Sequence, residues 1–139
     1  MKVSDYVTNF LLEKGINKCF SVTGGFAMHL NDSFGQKLDV TYTHGEQPAG
    51  YAALGWSSYE HNPSVCCVTS GCGATNAITP CLIAYQDSVP VFFISGQVHR
   101  DDGPARIYFN GDRYWYRDGR YHRLDGPAIE KGNGDKEWW

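Results

Sequence analysis

The sequence predicts an α/β fold: a truncated parallel sheet with helices on both faces, followed by a small antiparallel β-hairpin repeat. Three observations carry this. Over residues 1–98, short apolar runs alternate with stretches of helical periodicity. The runs are almost continuously apolar, as in Val65-Cys66-Cys67-Val68 and Val91-Phe92-Phe93-Ile94, which marks strands buried on both faces. From about His99 the composition changes abruptly and a repeat begins.

The elements follow in order. Ser4 is expected to cap a first helix that carries Val7, Phe10 and Leu11 on one face, and Gly15 suits its C-terminal stop. Cys19–Val22 is a short apolar strand. Gly24-Gly25 turns the chain into a helix around Ala27, Leu30 and Phe34. Val40–Tyr42 is a second strand. A helix runs from Glu46 to about Tyr59, with Pro48 in the first turn, where a missing N–H does no harm. Val65–Thr69 is a third strand, and Ser70-Gly71-Cys72-Gly73 opens a single helix reaching about Tyr85. Val91–Ile94 is the fourth strand.

Charge places the boundary. Residues 1–98 hold 4 Lys/Arg and 7 Asp/Glu, whereas residues 99–139 hold 8 of each, so the two segments fold by different means. The expected domains are 1–98 and 99–139. In the second, His99-Arg100-Asp101-Asp102-Gly103-Pro104-Ala105 recurs as His122-Arg123-Leu124-Asp125-Gly126-Pro127-Ala128, and Asn110-Gly111-Asp112 recurs as Asn133-Gly134-Asp135. Trp115-Tyr116 recurs as Trp138-Trp139, so the period is 23 throughout. Each unit reads as a hairpin: Ile107-Tyr108-Phe109, an Asn-Gly turn of the primed type, Tyr114-Trp115-Tyr116 in return, then a turn at Asp118-Gly119. The array is expected to stop at Trp139, inside its second unit.

Composition excludes several classes. A net charge of −3 gives no general affinity for nucleic acid or an acidic membrane. No apolar run approaches the roughly 20 residues that span a bilayer, and no signal-peptide core follows Met1, so the expected location is cytoplasmic. Five cysteines without a C-x-x-C pair read as small apolar residues in a reducing compartment, and Cys66 and Cys67 should face opposite sides of a strand. No metal site is expected, because Cys and His do not cluster at ligand spacing.

In a parallel sheet covered on both faces, ligands bind at the carboxyl ends of the strands. Four loops meet there: Thr23-Gly24-Gly25, His44-Gly45-Glu46, Thr69 to Asn76, and Ser95-Gly96-Gln97. Those loops also carry a resemblance. Phe20-Ser21-Val22-Thr23-Gly24-Gly25 resembles the "FGxxGG" of thiamine-diphosphate enzymes of the acetolactate synthase type. His44-Gly45-Glu46-Gln47 resembles their "HxEQ", and Val68 to Asn76 resembles "VTSGPGATN". Asp87-Ser88-Val89-Pro90 with Ile94-Ser95-Gly96-Gln97-Val98 resembles "DSxP…xSGQV". The match is to the N-terminal pyrimidine-binding domain and covers residues 1–98. Cys72 stands where that family usually has proline, Phe26 where it has a smaller residue, and Val22-Thr23 where it has Tyr-Pro.

The resemblance implies a partial thiamine-diphosphate-binding fold and thiamine diphosphate as cofactor. Glu46 matches the glutamate that meets the aminopyrimidine ring, the catalytic position of this half-site. Its carboxyl group, bonded to a ring nitrogen, favours the tautomer that takes a proton from the thiazolium carbon. Gly24 and Gly25 would let backbone approach the ring, while Thr69, Asn76 and Gln97 match pocket positions. The implied chemistry is carboligation or decarboxylation of 2-oxo acids. The domain that holds magnesium and diphosphate in the family has no counterpart in these residues, so the isolated chain is expected to be inactive. Expected partners are a second copy or a full-length thiamine-diphosphate enzyme. The tail resembles "HRxDGPA…NG…WY" arrays of phage and viral proteins, loosely like MORN repeats. A viral source would place the chain in host cytoplasm and admits a gene-fusion product in which only the repeat matters.

Plainer readings stand beside these. Glu46 is also what a helix N-terminus favours electrostatically. Gly71-x-Gly73 lacks the third glycine of a dinucleotide loop. His44 is a lone loop histidine, and His29 falls on a helix surface or packs in the first turns of its helix. Repeated turns explain His99 and His122 beside their aspartates. Aromatic packing between hairpins explains Tyr114, Trp115, Tyr116 and Trp138. Ala49, Gly50, Ala52 and Ala53 permit close helix packing, either at a subunit interface, as in the family, or within the chain.

Overall fold

The structure, a computed structural model, describes residues 2–96, 103–117 and 120–138. The chain divides into two compact units, Met1–Gly96 and Gln97–Trp139.

The first unit runs α1 (Val3–Glu13), β1 (Lys18–Ser21), α2 (Met28–Lys37), β2 (Asp39–Tyr42), α3 (Glu46–Glu60), β3 (Ser64–Thr69), α4 (Cys72–Asn76), α5 (Ile78–Gln86) and β4 (Val91–Gly96). The four strands form one parallel sheet in the order β2-β1-β3-β4. Each strand returns through a helix, so both faces are covered. On one face α1 and α2 bury Leu11 and Phe34 against Cys19, Val65 and Cys67. On the other, Ala49 and Ala53 of α3 lie with Ala77 against Phe20, Cys66 and Val68. Cys66 and Cys67 therefore do face opposite sides, as the two-residue period of a strand requires.

Several boundaries differ from the expected ones for local reasons. Ser4 does not cap α1: the helix starts at Val3 behind Lys2 without a side-chain cap. Ser4 is instead buried, accepting the Ser33 hydroxyl at 2.8 Å. The buried face of α1 is Ser4, Thr8 and Leu11, and Phe10 stays 45% exposed. Gly15 does end α1, at φ +75°, with its N–H on Leu12 O and the Ile16 N–H on Leu11 O, the double bond of a Schellman ending. The expected single helix after β3 is two helices that break at Ala77. Pro80 explains the break: it has no N–H for the Asn76 carbonyl, but it fits the first turn of a new helix. The small-residue stripe of α3 makes a contact within the chain. A Cβ at Gly50 would lie 2.4 Å from Pro80 Cγ, so only glycine lets α3 approach α5 this closely.

Three thiols line the sheet interior. Burial pushes the Cys66 thiol up to about 12 and Cys67 up to about 11, from an ordinary 9.0, and raises Cys19 too. A raised thiol contributes stability that is full below the unfolded value of 9.0 and lost as pH climbs through the folded values. Stability of the wild type should therefore fall between about pH 9 and pH 11 more steeply than that of Cys66→Ala, whose removed thiol no longer titrates. Urea midpoints across that range check this; parallel slopes would refute it.

The second unit is all antiparallel. Strands β5 (Arg106–Ile107), β6 (Arg113–Tyr114), β9 (Ile129–Glu130) and β10 (Lys136–Glu137) form a sheet in the order β10-β9-β6-β5. β7 (Tyr116–Arg117) pairs with β8 (Arg120–Tyr121). The two halves of the sheet obey one geometry. Tyr108 N–H donates to Asp112 O at 2.9 Å and Lys131 N–H to Asp135 O at 2.8 Å. Asp112 N–H and Asp135 N–H each reach the asparagine side chain two residues back at 3.1 Å. The loops have three residues, with Gly111 at φ +90° and Gly134 at φ +97°, not the two-residue primed turn that Asn-Gly suggested. The return strand expected over Tyr114–Tyr116 is split, with Tyr114 in the sheet and Tyr116 in the β7–β8 hairpin. Tyr116 and Tyr121 pack at 4.6 Å between ring centroids. The expected turn at Asp118-Gly119, the residues from Gln97 to Asp102, and Trp139 lie outside the described residues.

Candidate functional site

The site forms where β1, β2 and β3 end. β2 gives way to Thr43-His44-Gly45, where the Thr43 hydroxyl donates to Gly45 O at 2.9 Å, and α3 begins at Glu46. The Glu46 carboxylate thus stands in the first turn of a fifteen-residue helix, where the macrodipole favours a negative charge. The electrostatic reading and the site reading are satisfied by the same placement.

β3 supplies the other wall. Gly71 turns the chain at φ +77° and ψ −128°, a conformation that an L side chain rarely adopts, and α4 follows. That turn carries Asn76 back to Glu46: its Nδ2 donates to Glu46 Oε2 at 3.2 Å. Gly73 packs directly beneath the carboxylate. A Cβ there would lie 3.0 Å from Glu46 Oε1 and 2.7 Å from Thr69 Cγ2.

Thr69 joins the walls. Its hydroxyl accepts the Phe26 N–H at 3.3 Å, and a Cβ at Gly24 would lie 2.5 Å from Thr69 Cβ. Gly96, at the end of β4, is as tightly placed: its Cβ would meet the Phe26 carbonyl at 2.3 Å. Glycine at 24 and 73 thus lets two loops pack against Thr69, and glycine at 96 lets β4 end against the Phe26 backbone.

Of the residues singled out from sequence, Glu46, Asn76, Thr69 and Gly24 come together. Gly25 is exposed on the same loop as Gly24, and Gln97 lies outside the described residues. His44 and His29 are exposed. Gly73 and the Phe26 N–H were missed as contact groups. The motif contains Gly73, but nothing local says that its neighbour in space is a carboxylate 27 positions earlier. Among the described residues no cluster of three or more His, Cys, Asp or Glu is placed to hold a metal ion. No helix among them is long and apolar enough to cross a membrane.

A parallel α/β sheet whose carboxyl edge gathers a carboxylate, its amide partner and glycine-lined loops has the layout of a cofactor-binding domain. The comparisons identify the family. The profile for "Thiamine pyrophosphate enzyme, N-terminal TPP binding domain" matches residues 1–115. The chain belongs to that family.

An acetolactate synthase of Mycobacterium bovis is 40% identical over 96 residues, covering 68% of this chain and 16% of the relative. The acetolactate synthase isozyme 1 large subunit of Escherichia coli K12 is 33% identical over 97 residues, covering 68% and 17%. The chain thus spans about a sixth of the length of these relatives. The crystal structure of a benzoylformate decarboxylase from Polynucleobacter necessarius superposes with a TM-score of 0.63 at 24% identity, over 72% of this chain and 19% of that one. That likeness shows the shared fold.

Proposed function

We propose that the first unit is a thiamine-diphosphate half-site of the acetolactate synthase type, and that it receives the aminopyrimidine end of the cofactor. The observation that carries this is the Glu46 carboxylate, held by Asn76 on a rim of glycines that admits no further side chain. The donor set fits a flat ring bearing nitrogens: one carboxylate to bond a ring nitrogen, steadied by loops that glycine lets pack closely. When bound, thiamine diphosphate supplies a nucleophilic carbon for work on 2-oxo acids.

The chain's own residues prepare that ring. Glu46 would share a proton with the ring nitrogen, and Asn76 fixes the direction of its carboxylate by engaging Oε2. Thr69 holds the Phe26 backbone and so keeps the Gly24–Gly25 loop against the site. Gln97 completes the pocket in this reading, which also places the protein in the cytoplasm. Magnesium and diphosphate must be held by groups outside this rim, so these 139 residues by themselves should turn over no 2-oxo acid.

Calorimetry with thiamine diphosphate and magnesium tests this. The wild type should bind saturably, and Glu46→Gln should lose at least about tenfold in affinity, the equivalent of one charged hydrogen bond. Equal binding by both proteins would sink the reading.

One feature favours a second role, docking to a full-length thiamine-diphosphate enzyme or to another copy. Beside β4 lies an apolar groove of about 390 Å³ lined by Ala77, Leu82, Tyr85 and Phe93 among others. Ile78 and Leu82 are more than half exposed, and Tyr85 is 83% exposed. Titrating full-length acetolactate synthase in the same calorimeter separates the roles: heat without thiamine diphosphate supports docking, and none refutes it.

A further inference from the structure

Two cations of the second unit form ion pairs among the described residues. Arg123 bridges to Glu130 at 2.8 Å and stacks over Trp115 at 4.1 Å. Lys131 bridges to Glu137 at 2.7 Å. Arg113 and Lys136 both stand opposite Glu130 in the sheet register, and Arg106 lies over the Tyr108 ring.

Arg117 and Arg120 have no acidic residue opposite them across the ladder. They are direct cross-strand partners in the β7–β8 hairpin, so their side chains leave on the same face. Like charges directly opposite one another destabilise an antiparallel pair. Among the described residues no carboxylate pairs with either guanidinium. Both line, with Tyr121 and His122, a depression of about 390 Å³. That volume falls in the range of small-molecule sites. The unit thus holds two permanent cations together, at a cost in stability, around a space bordered by an imidazole and a phenol.

We propose that this depression is an anion site for a small phosphorylated ligand, with Arg117 and Arg120 gripping the phosphoryl oxygens. Two guanidinium forks match a tetrahedral oxyanion, and each offers paired N–H donors. His122 and Tyr121 border the remainder of the ligand. The bound dianion would also cancel the repulsion between the two arginines, so binding and hairpin stability are linked. The site is built by the second unit alone and does not depend on the cofactor reading of Glu46.

The test uses the full chain and inorganic phosphate, with sodium chloride at matched ionic strength as the control. Nitrogen-detected NMR should show saturable shifts at Arg117, Arg120 and His122 with phosphate. Phosphate should also raise the unfolding midpoint of the second unit. Arg120→Gln is the informative variant. Without phosphate its midpoint should equal or exceed that of the wild type, because a repulsion is gone, and phosphate should leave it unmoved. Circular dichroism confirms that the variant is folded, and Arg117→Gln repeats the comparison should it not be. The proposal is overturned if chloride reproduces the phosphate shifts, or if Arg120→Gln responds to phosphate as the wild type does. It is equally overturned if only single-stranded RNA binds, with steep salt dependence and no saturation by phosphate, because the arginines are then a nucleic-acid patch.

Discussion

Phe34→Ala should cost the first unit about 3–5 kcal/mol. Phe34 is fully buried on α2, at 0% exposure, in the cluster that contains Leu11, Ile16, Val65 and Cys67. Truncation removes the whole ring and leaves a cavity between α1, α2 and the sheet. The neighbours cannot collapse into it easily. Val65 and Cys67 are fixed by the β3 ladder, and Leu11 is held beside the Schellman ending of α1. Native domains are stable by only about 5–15 kcal/mol, so this single change removes about a fifth of the total or more. With m-values of about 1–3 kcal/mol per molar urea, the midpoint should fall by at least about 1 M. Urea unfolding followed by far-ultraviolet circular dichroism measures this. A loss under about 1.5 kcal/mol would mean that α2 is not seated on the sheet as described.

Gly73→Ala should abolish cofactor binding while leaving the unit folded, and Thr69→Ser should restore part of it. The added methyl meets two neighbours: Thr69 Cγ2 at 2.7 Å and Glu46 Oε1 at 3.0 Å. Relief by moving Glu46 breaks its bond to Asn76 and turns the carboxylate away from the rim. Relief by moving α4 takes Asn76 with it. Either way the acid and its amide partner separate, at a strain of about 1–3 kcal/mol. Thr69→Ser deletes only the Cγ2 that makes the closer contact and keeps the hydroxyl that accepts the Phe26 N–H. The double variant should therefore recover more affinity for thiamine diphosphate than the two single changes predict by addition. Calorimetry on the four proteins of the cycle gives the coupling. Strict additivity would show that Gly73 and Thr69 do not share one packing problem. Unchanged binding by Gly73→Ala would remove Gly73 from the site altogether.

The layered order of the first unit was legible because burial on both faces of a parallel sheet leaves a local trace. The inner strands β1 and β3 carry short apolar runs, and the strands are separated by segments of helical period. Gly15 and Pro48 were legible for the same reason, since backbone rules act within a few residues. The errors fell where one residue's local preference met a distant partner. Ser4 has a capping side chain, but the Ser33 hydroxyl on α2 places it inside a helix interface. Phe10 fits the apolar stripe of α1, but the side that is buried carries Ser4, Thr8 and Leu11. Pro80 was a local signal passed over, and it splits one expected helix into two.

By itself, the sequence determined the alternation of strands and helices, the 23-residue period of the tail, and the loops of Gly24, Glu46 and Thr69 to Asn76 that meet at one rim. Each of these is written in nearest-neighbour chemistry: periodicity, turn residues and register. Only the tertiary structure decided that Asn76 serves Glu46, that Thr69 serves Phe26, and that Gly24, Gly73 and Gly96 are glycine because other chain segments fill the space a Cβ would need. Excluded volume and hydrogen bonding act between atoms that are close in space, and residues dozens of positions apart become neighbours only when the sheet closes.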